Sequence, residues 1–258
     1  MPQVLTAAQI AEFEEQGFLR VDRLLSEEQV GRYLQLYDQF LAGHIATGHL
    51  RSDLGRHVNA EGDDAPSERI TQIMWPSALV PVLHDALLHQ RSLAMARQYF
   101  GDDMDFDFDM LIDKPPGSNT PTPWHQDMAY WIKLPDTRSV SVWVALDEST
   151  VDNGCMWYVP GSHKEPLRSH REAGKGGGAL ECDASEAEGI PVPIPAGSAV
   201  LHQGGSLHYS RGNRTDGHRR AFIVNCRPRA MIELERGQGM DHGLTDNTRR
   251  VRNKRAPQ

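Results

Sequence analysis

The chain has 258 residues, 24% of them charged and 39% hydrophobic, with a formal net charge of −8. That length can bury a substantial core, and β-rich chains of this size often form one domain, so residues 1–258 are expected to be one. The acidic balance argues against nucleic acid as a partner, the lack of a long apolar run argues against a membrane, and an N-terminus reading Met1-Pro2-Gln3-Val4-Leu5 shows no signal-peptide pattern.

The first third reads as helical. Thr6 is a candidate N-cap before a helix with Ile10 and Phe13 on one face. Phe18-Leu19-Arg20-Val21 predicts a short strand. Ser26 with Glu27 and Glu28 starts a second helix carrying Val30, Tyr33, Leu34, Leu36 and Phe40. Residues 44–75 are polar and glycine-rich and read as a long loop. A third helix is expected from about Ala78 to Tyr99. From Phe106 onward the hydrophobic period becomes two, the signature of strands.

Strand parity then assigns faces. Phe106, Phe108, Met110, Ile112 and Lys114 share one side, leaving Asp105, Asp107, Asp109 and Asp113 for a solvated outer face. Ser139, Ser141, Trp143 and Ala145 share a face of the next long strand. Residues 164–190, rich in glycine, interrupt the strands and are expected to form a lid. Gly197–His202 leads from a turn into a strand, and Ser206–Ser210 and Arg219–Asn225 are further strands separated by the turn-forming Gly212–Gly217. On the last strand Arg219, Ala221, Ile223, Asn225 and Arg227 share parity. The tail around Arg249-Arg250-Val251-Arg252 is basic and reads as solvated. Three cysteines, Cys155, Cys182 and Cys226, form no CxxC pair, which fits a reducing cytoplasm and argues against a structural zinc site.

The chemistry concentrates in His125-Gln126-Asp127 and a distant His208. In extended chain residues i and i+2 point the same way, so His125 and Asp127 reach one metal while Gln126 points away. Two imidazoles and one carboxylate on one face of Fe(II) leave three positions open, enough for a chelating cosubstrate and O₂. Arg219 follows His208 on what reads as the neighbouring strand of one hairpin. A guanidinium there can bind the far carboxylate of such a chelator bidentately.

The chain resembles the phytanoyl-CoA dioxygenase family of Fe(II)/2-oxoglutarate-dependent oxygenases. The resemblance is carried by Lys114-Pro115-Pro116-Gly117-Ser118, Pro123-Trp124-His125-Gln126-Asp127, Ser141 to Asp147, Asn153-Gly154-Cys155-Met156, Pro160-Gly161-Ser162-His163, and His208 through Asn213 to Arg219. It spans roughly residues 8–228. It implies that His125, Asp127 and His208 hold iron and that Arg219 anchors the 2-oxoglutarate C5 carboxylate. It further implies that Lys114 and Gln126 help hold the cosubstrate. His202 competes with His208 as the distal ligand, but the spacing from His208 to Arg219 matches the family and that from His202 does not. No metal-site role falls to His202, and His163 and His170 are expected to be surface or hydrogen-bonded histidines. Asp127 stands where related halogenases carry a small residue, which favours hydroxylation over halogenation.

The implied fold is mainly β with α: a double-stranded β-helix, or jelly-roll, cupin-like barrel with N-terminal helices packed on one sheet. Residues up to about 100 would be mostly helical, about 101–230 the barrel and 231–258 a C-terminal extension. The implied reaction is hydroxylation of an unactivated C–H with release of succinate and CO₂, using Fe(II), 2-oxoglutarate and O₂. The expected substrate is a small or medium polar metabolite with an anionic group, met by Asn225, Arg227, Arg211, Ser139, Ser141 and Trp143. The alternatives are an acyl-CoA hydroxylase of the same family, a non-catalytic cupin-like binding protein, and a divalent-metal hydrolase or isomerase on the same barrel.

Overall fold

The structure is a computed structural model that describes residues 5–57, 68–174 and 179–245. The basic tail lies outside these residues.

Two capped helices open the chain. Thr6 accepts from the N–H of Gln9, and the Gln9 side chain accepts from the N–H of Thr6 at 2.9 Å. This reciprocal cap starts α1 (Ala7–Gln16). Gly17 ends it at φ 80°, where a Cβ would also lie 2.2 Å from Nδ1 of His163. β1 (Phe18–Val21) follows. Ser26 and Gln29 repeat the reciprocal cap at α2 (Glu27–Leu41), and Glu27 and Glu28 complement the helix dipole in its first turn.

The stretch expected to be a loop contains two strands, β2 (Arg51–Asp53) and β3 (Thr71–Met74), which pair with each other. Residues 58–67 between them lie outside the described residues. The helix expected from Ala78 to Tyr99 is divided into α3 (Pro76–Leu79), a 3-10 turn Pro81–Asp85 and α4 (Leu87–Phe100). Pro81 is the reason. It has no N–H to donate, and it holds Val80 at φ −130°, ψ 82°, outside the helical region.

The barrel strands are β4 (Met104–Lys114), β5 (Thr122–His125), β6 (Val140–Ala145), β7 (Met156–Tyr158), β8 (Arg171–Glu172), β9 (Leu180–Glu181), β10 (Ile190–Val192), β11 (Ala199–Gln203), β12 (His208–Ser210) and β13 (Arg219–Pro228). α5 (Arg229–Gly237) continues directly from β13. A seven-stranded sheet runs β1-β11-β6-β13-β4-β3-β2, and a four-stranded sheet runs β10-β7-β12-β5. All these pairings are antiparallel. This is the expected jelly-roll, mainly β with α.

The faces follow the period of two. Val142, Val144, Leu201, Phe222 and Val224 pack outward against Phe13, Val30, Tyr37, Phe40, Leu88 and Met95 of the helical layer. Trp143, Ala145, Val200, Ala221 and Ile223 pack inward with Met156 and Tyr158 of the smaller sheet. Helices thus cover one face of the large sheet and the small sheet covers the other.

Three expectations about these strands change. The outer face of β4 is not solvated: Asp107, Asp109 and Asp113 are at most 2% exposed. Asp109 accepts from Ser77 Oγ at 2.9 Å and lies 3.0 Å from His89 Nε2, both in the helical layer, and Asp113 pairs with His218 at 3.0 Å. Sequence alternation reports a face but not what covers it. Second, Asn225 opposes Phe108 while Cys226 opposes Phe106, so Asp107 is an extra residue in β4. This bulge brings Asp107 to Arg227. Third, β12 and β13 do not form a hairpin, because His208 lies in the small sheet and Arg219 in the large one. The described part of residues 164–190, the stretch expected to form a lid, is not wholly irregular. It carries the β8–β9 hairpin, and the N–H of Leu180 donates to Tyr130 Oη at 2.7 Å. Residues 175–178 lie outside the described residues.

Candidate active site

The two sheets deliver the three candidate ligands to one point. His125 and His208 are register partners on β5 and β12, and their ring centroids are 4.1 Å apart. The ladder ends at His125, but Gln126 stays extended at φ −123°, ψ 130°. Asp127 therefore returns to the side of His125. Its Oδ1 lies 3.7 Å from Nε2 of His125 and 3.6 Å from Nε2 of His208. The ligand atoms of His125, Asp127 and His208 all fall within 4.8 Å of one another.

Hydrogen bonds set the ligand atoms. His125 Nδ1 faces the Pro123 carbonyl at 2.7 Å and His208 Nδ1 faces the Ser206 carbonyl at 2.9 Å. A carbonyl only accepts, so each Nδ1 carries the proton and each Nε2 presents a lone pair. Burial pushes both imidazoles below their ordinary value, more strongly for His208, which keeps those lone pairs unprotonated. Burial alone would raise the Asp127 carboxyl, but His208, His202 and His125 hold it well below the usual range. Two neutral imidazoles beside a carboxylate suit a divalent cation, and this donor set with open positions is that of non-haem Fe(II).

A cavity of about 670 Å³ opens over this cluster, within the usual range for small-molecule sites. Arg219 lines it from the large sheet. It is 1% exposed, its Nε and Nη1 have no hydrogen-bond partner among the described residues, and it sits 5.3 Å over the Trp143 ring. Burial pulls it down to about 10. A buried cation with open donors facing a cavity fits an anionic carboxylate.

Lys114 and Gln126 are buried but occupied. The Lys114 ammonium donates to the carbonyls of Thr120, Ser210 and Arg211, at 2.6 Å for the last, and does not line the cavity. Burial and the nearby Arg219 lower its pKa well below the ordinary value. Gln126 faces away from the metal cluster. Its amide donates to the Gly205 carbonyl at 2.7 Å and accepts from the N–H of Arg168 at 2.9 Å, while its own N–H meets His170 Nε2 at 3.1 Å. His170 and His163 are hydrogen-bonded histidines, as expected; Nε2 of His163 meets the Glu14 carbonyl.

Among the residues expected to meet substrate, Ser141, Trp143 and Asn225 line the cavity. Ser139 instead receives the N–H of Gly204. Arg211 is committed to Glu186 and stacks over Trp157. Arg227 is neither a free pocket cation nor a surface charge. It is 2% exposed, pairs with Asp107 and Glu235, and lies 5.0 Å over Trp131. Asp107, Glu235 and His242 could chelate an ion by geometry alone, but Arg227 and Arg236 already occupy both carboxylates. His242 stacks on Phe108 at 3.9 Å, and it, Met240 and Trp131 form an outer wall of the cavity.

Sequence reasoning gave no metal-site role to His202 or Tyr158. His202 is not among the three clustered ligand atoms, yet its Nε2 lies 3.2 Å from Asp127 Oδ2 and its Nδ1 3.0 Å from Tyr158 Oη. The available signal was parity, since His202 shares the inward face of β11 with Val200. No described helix is long and apolar enough to cross a membrane. The three cysteines are buried and free.

The chain is 32% identical to mouse (Mus musculus) phytanoyl-CoA dioxygenase domain-containing protein 1 over 123 residues, 45% of this chain and 42% of that protein. It is 25% identical to rat (Rattus norvegicus) peroxisomal phytanoyl-CoA dioxygenase over 232 residues, covering 86% of this chain and 68% of that one. The structure of EvdO2 from Micromonospora carbonacea var. aurantiaca complexed with 2-oxoglutarate superposes with a TM-score of 0.70 at 28% identity, covering 88% of this chain and 92% of that one. The family model for phytanoyl-CoA dioxygenase matches residues 13–221. With that match over most of its length, the chain belongs to the phytanoyl-CoA dioxygenase family of 2-oxoglutarate-dependent dioxygenases.

Proposed function

We propose that this protein hydroxylates an unactivated C–H bond of a medium-sized substrate, with His125, Asp127 and His208 holding Fe(II) and Arg219 anchoring 2-oxoglutarate. The observation that carries the reading is the buried, open guanidinium of Arg219 in the same cavity as the three ligand atoms. A metal-binding module, or a hydrolase using a bound water, has no need of a buried cation with open donors beside its metal. When bound, iron and 2-oxoglutarate supply O₂ activation coupled to decarboxylation into succinate and CO₂.

The chain's own residues bind, orient and exclude water. The Pro123 and Ser206 carbonyls fix the two imidazoles. Arg219 gains a partner for its unpaired Nε and Nη1 donors, and Trp143 backs it. Met110, Ile112, Met156 and Ile223 wall the cavity with apolar surface. At the outer end the substrate meets Tyr130, Trp131, Phe108 and His242. Arg227 and Arg211, the two cations expected to meet an anionic substrate, are consumed by ion pairs. The lining has broad aromatic and aliphatic walls with uncharged Asn225, Ser52, Gln72 and Thr122; its further charged residues are Arg51, paired with Glu68, and the acidic Asp53 and Glu172, which repel phosphates. That suits a compact molecule with one apolar face and neutral polar groups more than a phosphate-bearing acyl-CoA.

The test has two stages. Anaerobic Fe(II) with 2-oxoglutarate should produce a visible charge-transfer band that a binding module or a hydrolase would lack. Succinate release is then screened across acyl-CoA esters, amino acids, phosphonates and uncharged cyclic or glycosylated compounds. Coupled turnover confined to acyl-CoA esters would overturn the substrate reading, and absence of the band would overturn the chemistry.

A further inference from the structure

We infer that His202 is a positioning residue that fixes which oxygen of Asp127 is offered to the metal, through a buried Tyr158–His202–Asp127 chain; this rests on the metal-site reading above. The carboxylate has two oxygens with different surroundings. Oδ1 is the one that faces Nε2 of both His125 and His208. Oδ2 faces two donors, Ser141 Oγ at 2.9 Å and His202 Nε2 at 3.2 Å.

The tautomer of His202 follows from Tyr158. That phenol is fully buried, and its oxygen lies 3.0 Å from His202 Nδ1. A buried O–H without an acceptor costs about 1–3 kcal/mol, so the phenol donates to Nδ1. The imidazole proton then sits on Nε2, aimed at Oδ2. Packing locks the chain in place. Tyr158 stacks on Phe18 at 4.6 Å, and the His202 and His208 rings are 4.5 Å apart.

Ser141 adds a second contact to Oδ2. His202, Ser141 and Asn225 are successive register partners across β11, β6 and β13. A hydroxyl has one proton. It is divided between two acceptors, Asp127 Oδ2 at 2.9 Å and Asn225 Oδ1 at 2.6 Å, so the donor held on Oδ2 is His202. The His202 N–H on Oδ2 keeps Asp127 from turning both oxygens to the ion. A carboxylate bound through both would consume one of the three positions that a chelating cosubstrate and O₂ need. His202 therefore protects an open position without itself being a ligand.

Co(II) titration of the metal-free protein, with no cosubstrate and no turnover, tests this by calorimetry and visible absorption. His202→Phe keeps a ring but cannot donate. It should weaken Co(II) binding about 10–100-fold and change the absorption band, in line with the loss of partners that orient metal ligands. Tyr158→Phe should act in the same direction more weakly, and His202→Gln, which restores a donor, should recover part of the affinity. Native Co(II) affinity and band shape in a folded His202→Phe would overturn the inference. If His202→Phe does not fold, Tyr158→Phe decides, and unchanged Co(II) binding there overturns it. Wild-type protein that bound Co(II) no better than His208→Ala would overturn the metal site itself, and the inference with it.

Discussion

Arg219→Met separates the anchoring role of this residue from any structural one. The native guanidinium is buried with Nε and Nη1 lacking hydrogen-bond partners, and burial takes it from its ordinary 12.5 to about 10. At roughly 1.36 kcal/mol per pKa unit, that fall corresponds to about 3 kcal/mol carried by the folded protein, the part of the burial cost that Asp113 and Asp147 do not offset. The sign follows from linkage. A base depressed on folding destabilises the fold at every pH below its folded value, so the cost is in full force at neutral pH and is relieved only above about pH 10. Methionine keeps much of the volume and removes the charge, so without 2-oxoglutarate the variant should be more stable than the native protein. For a domain of this size about 3 kcal/mol is an increase in Tm of up to about 6–12 °C. The same variant should lose about 2–5 kcal/mol of 2-oxoglutarate binding, a weakening of roughly 30- to several-thousand-fold. Thermal melts with and without 2-oxoglutarate, and anaerobic titration of the metal-loaded protein, read both effects. Unchanged 2-oxoglutarate affinity together with an unchanged Tm would refute the reasoning. The anchor would then have to be Arg220 or Arg214, although these already pair with Asp147 and Asp38 and with Asp152.

Replacing His125, Asp127 or His208 with alanine should abolish succinate formation, with poor rescue by excess Fe(II); near-native succinate release from any of the three would remove that residue from the site. Glu235→Gln should destabilise the protein at pH 7 by about 3–5 kcal/mol, because it leaves buried Arg227 and half-buried Arg236 short of a counter-charge. Burial alone would raise the Glu235 carboxyl, but His242 and Arg227 bring it below its ordinary 4.5. Its contribution is therefore present above that pH and lost as pH falls below it through the depressed value, so melts of native and variant should converge in acid. Gln126→Ala should expose the segment it pins through the N–H of Arg168, and limited trypsin digestion should cut faster at Lys164, Arg168 or Arg171.

The sequence by itself determined the local features. Thr6 with Gln9 and Ser26 with Gln29 specify helix starts because the cap is made within four residues. His125 and Asp127 fall on one side because a single extended residue separates them. Period two separated Trp143 and Ile223 from Val142 and Val224, and the order of blocks pointed to His208 and Arg219. Only the tertiary structure decided what each face meets. It put His208 and Arg219 in opposite sheets, since the sharp turn between them closes a barrel and not a ladder. Helices buried Asp109 and Asp113, and a one-residue bulge carried Asp107 to Arg227. It left Arg219 without a hydrogen-bond partner for Nε or Nη1 while Lys114, Arg211 and Arg227 found theirs. Burial and the choice of charge partner are made between residues far apart in the chain, 120 positions for Arg227 and Asp107 and 182 for Arg220 and Asp38, and no periodicity records such a distance.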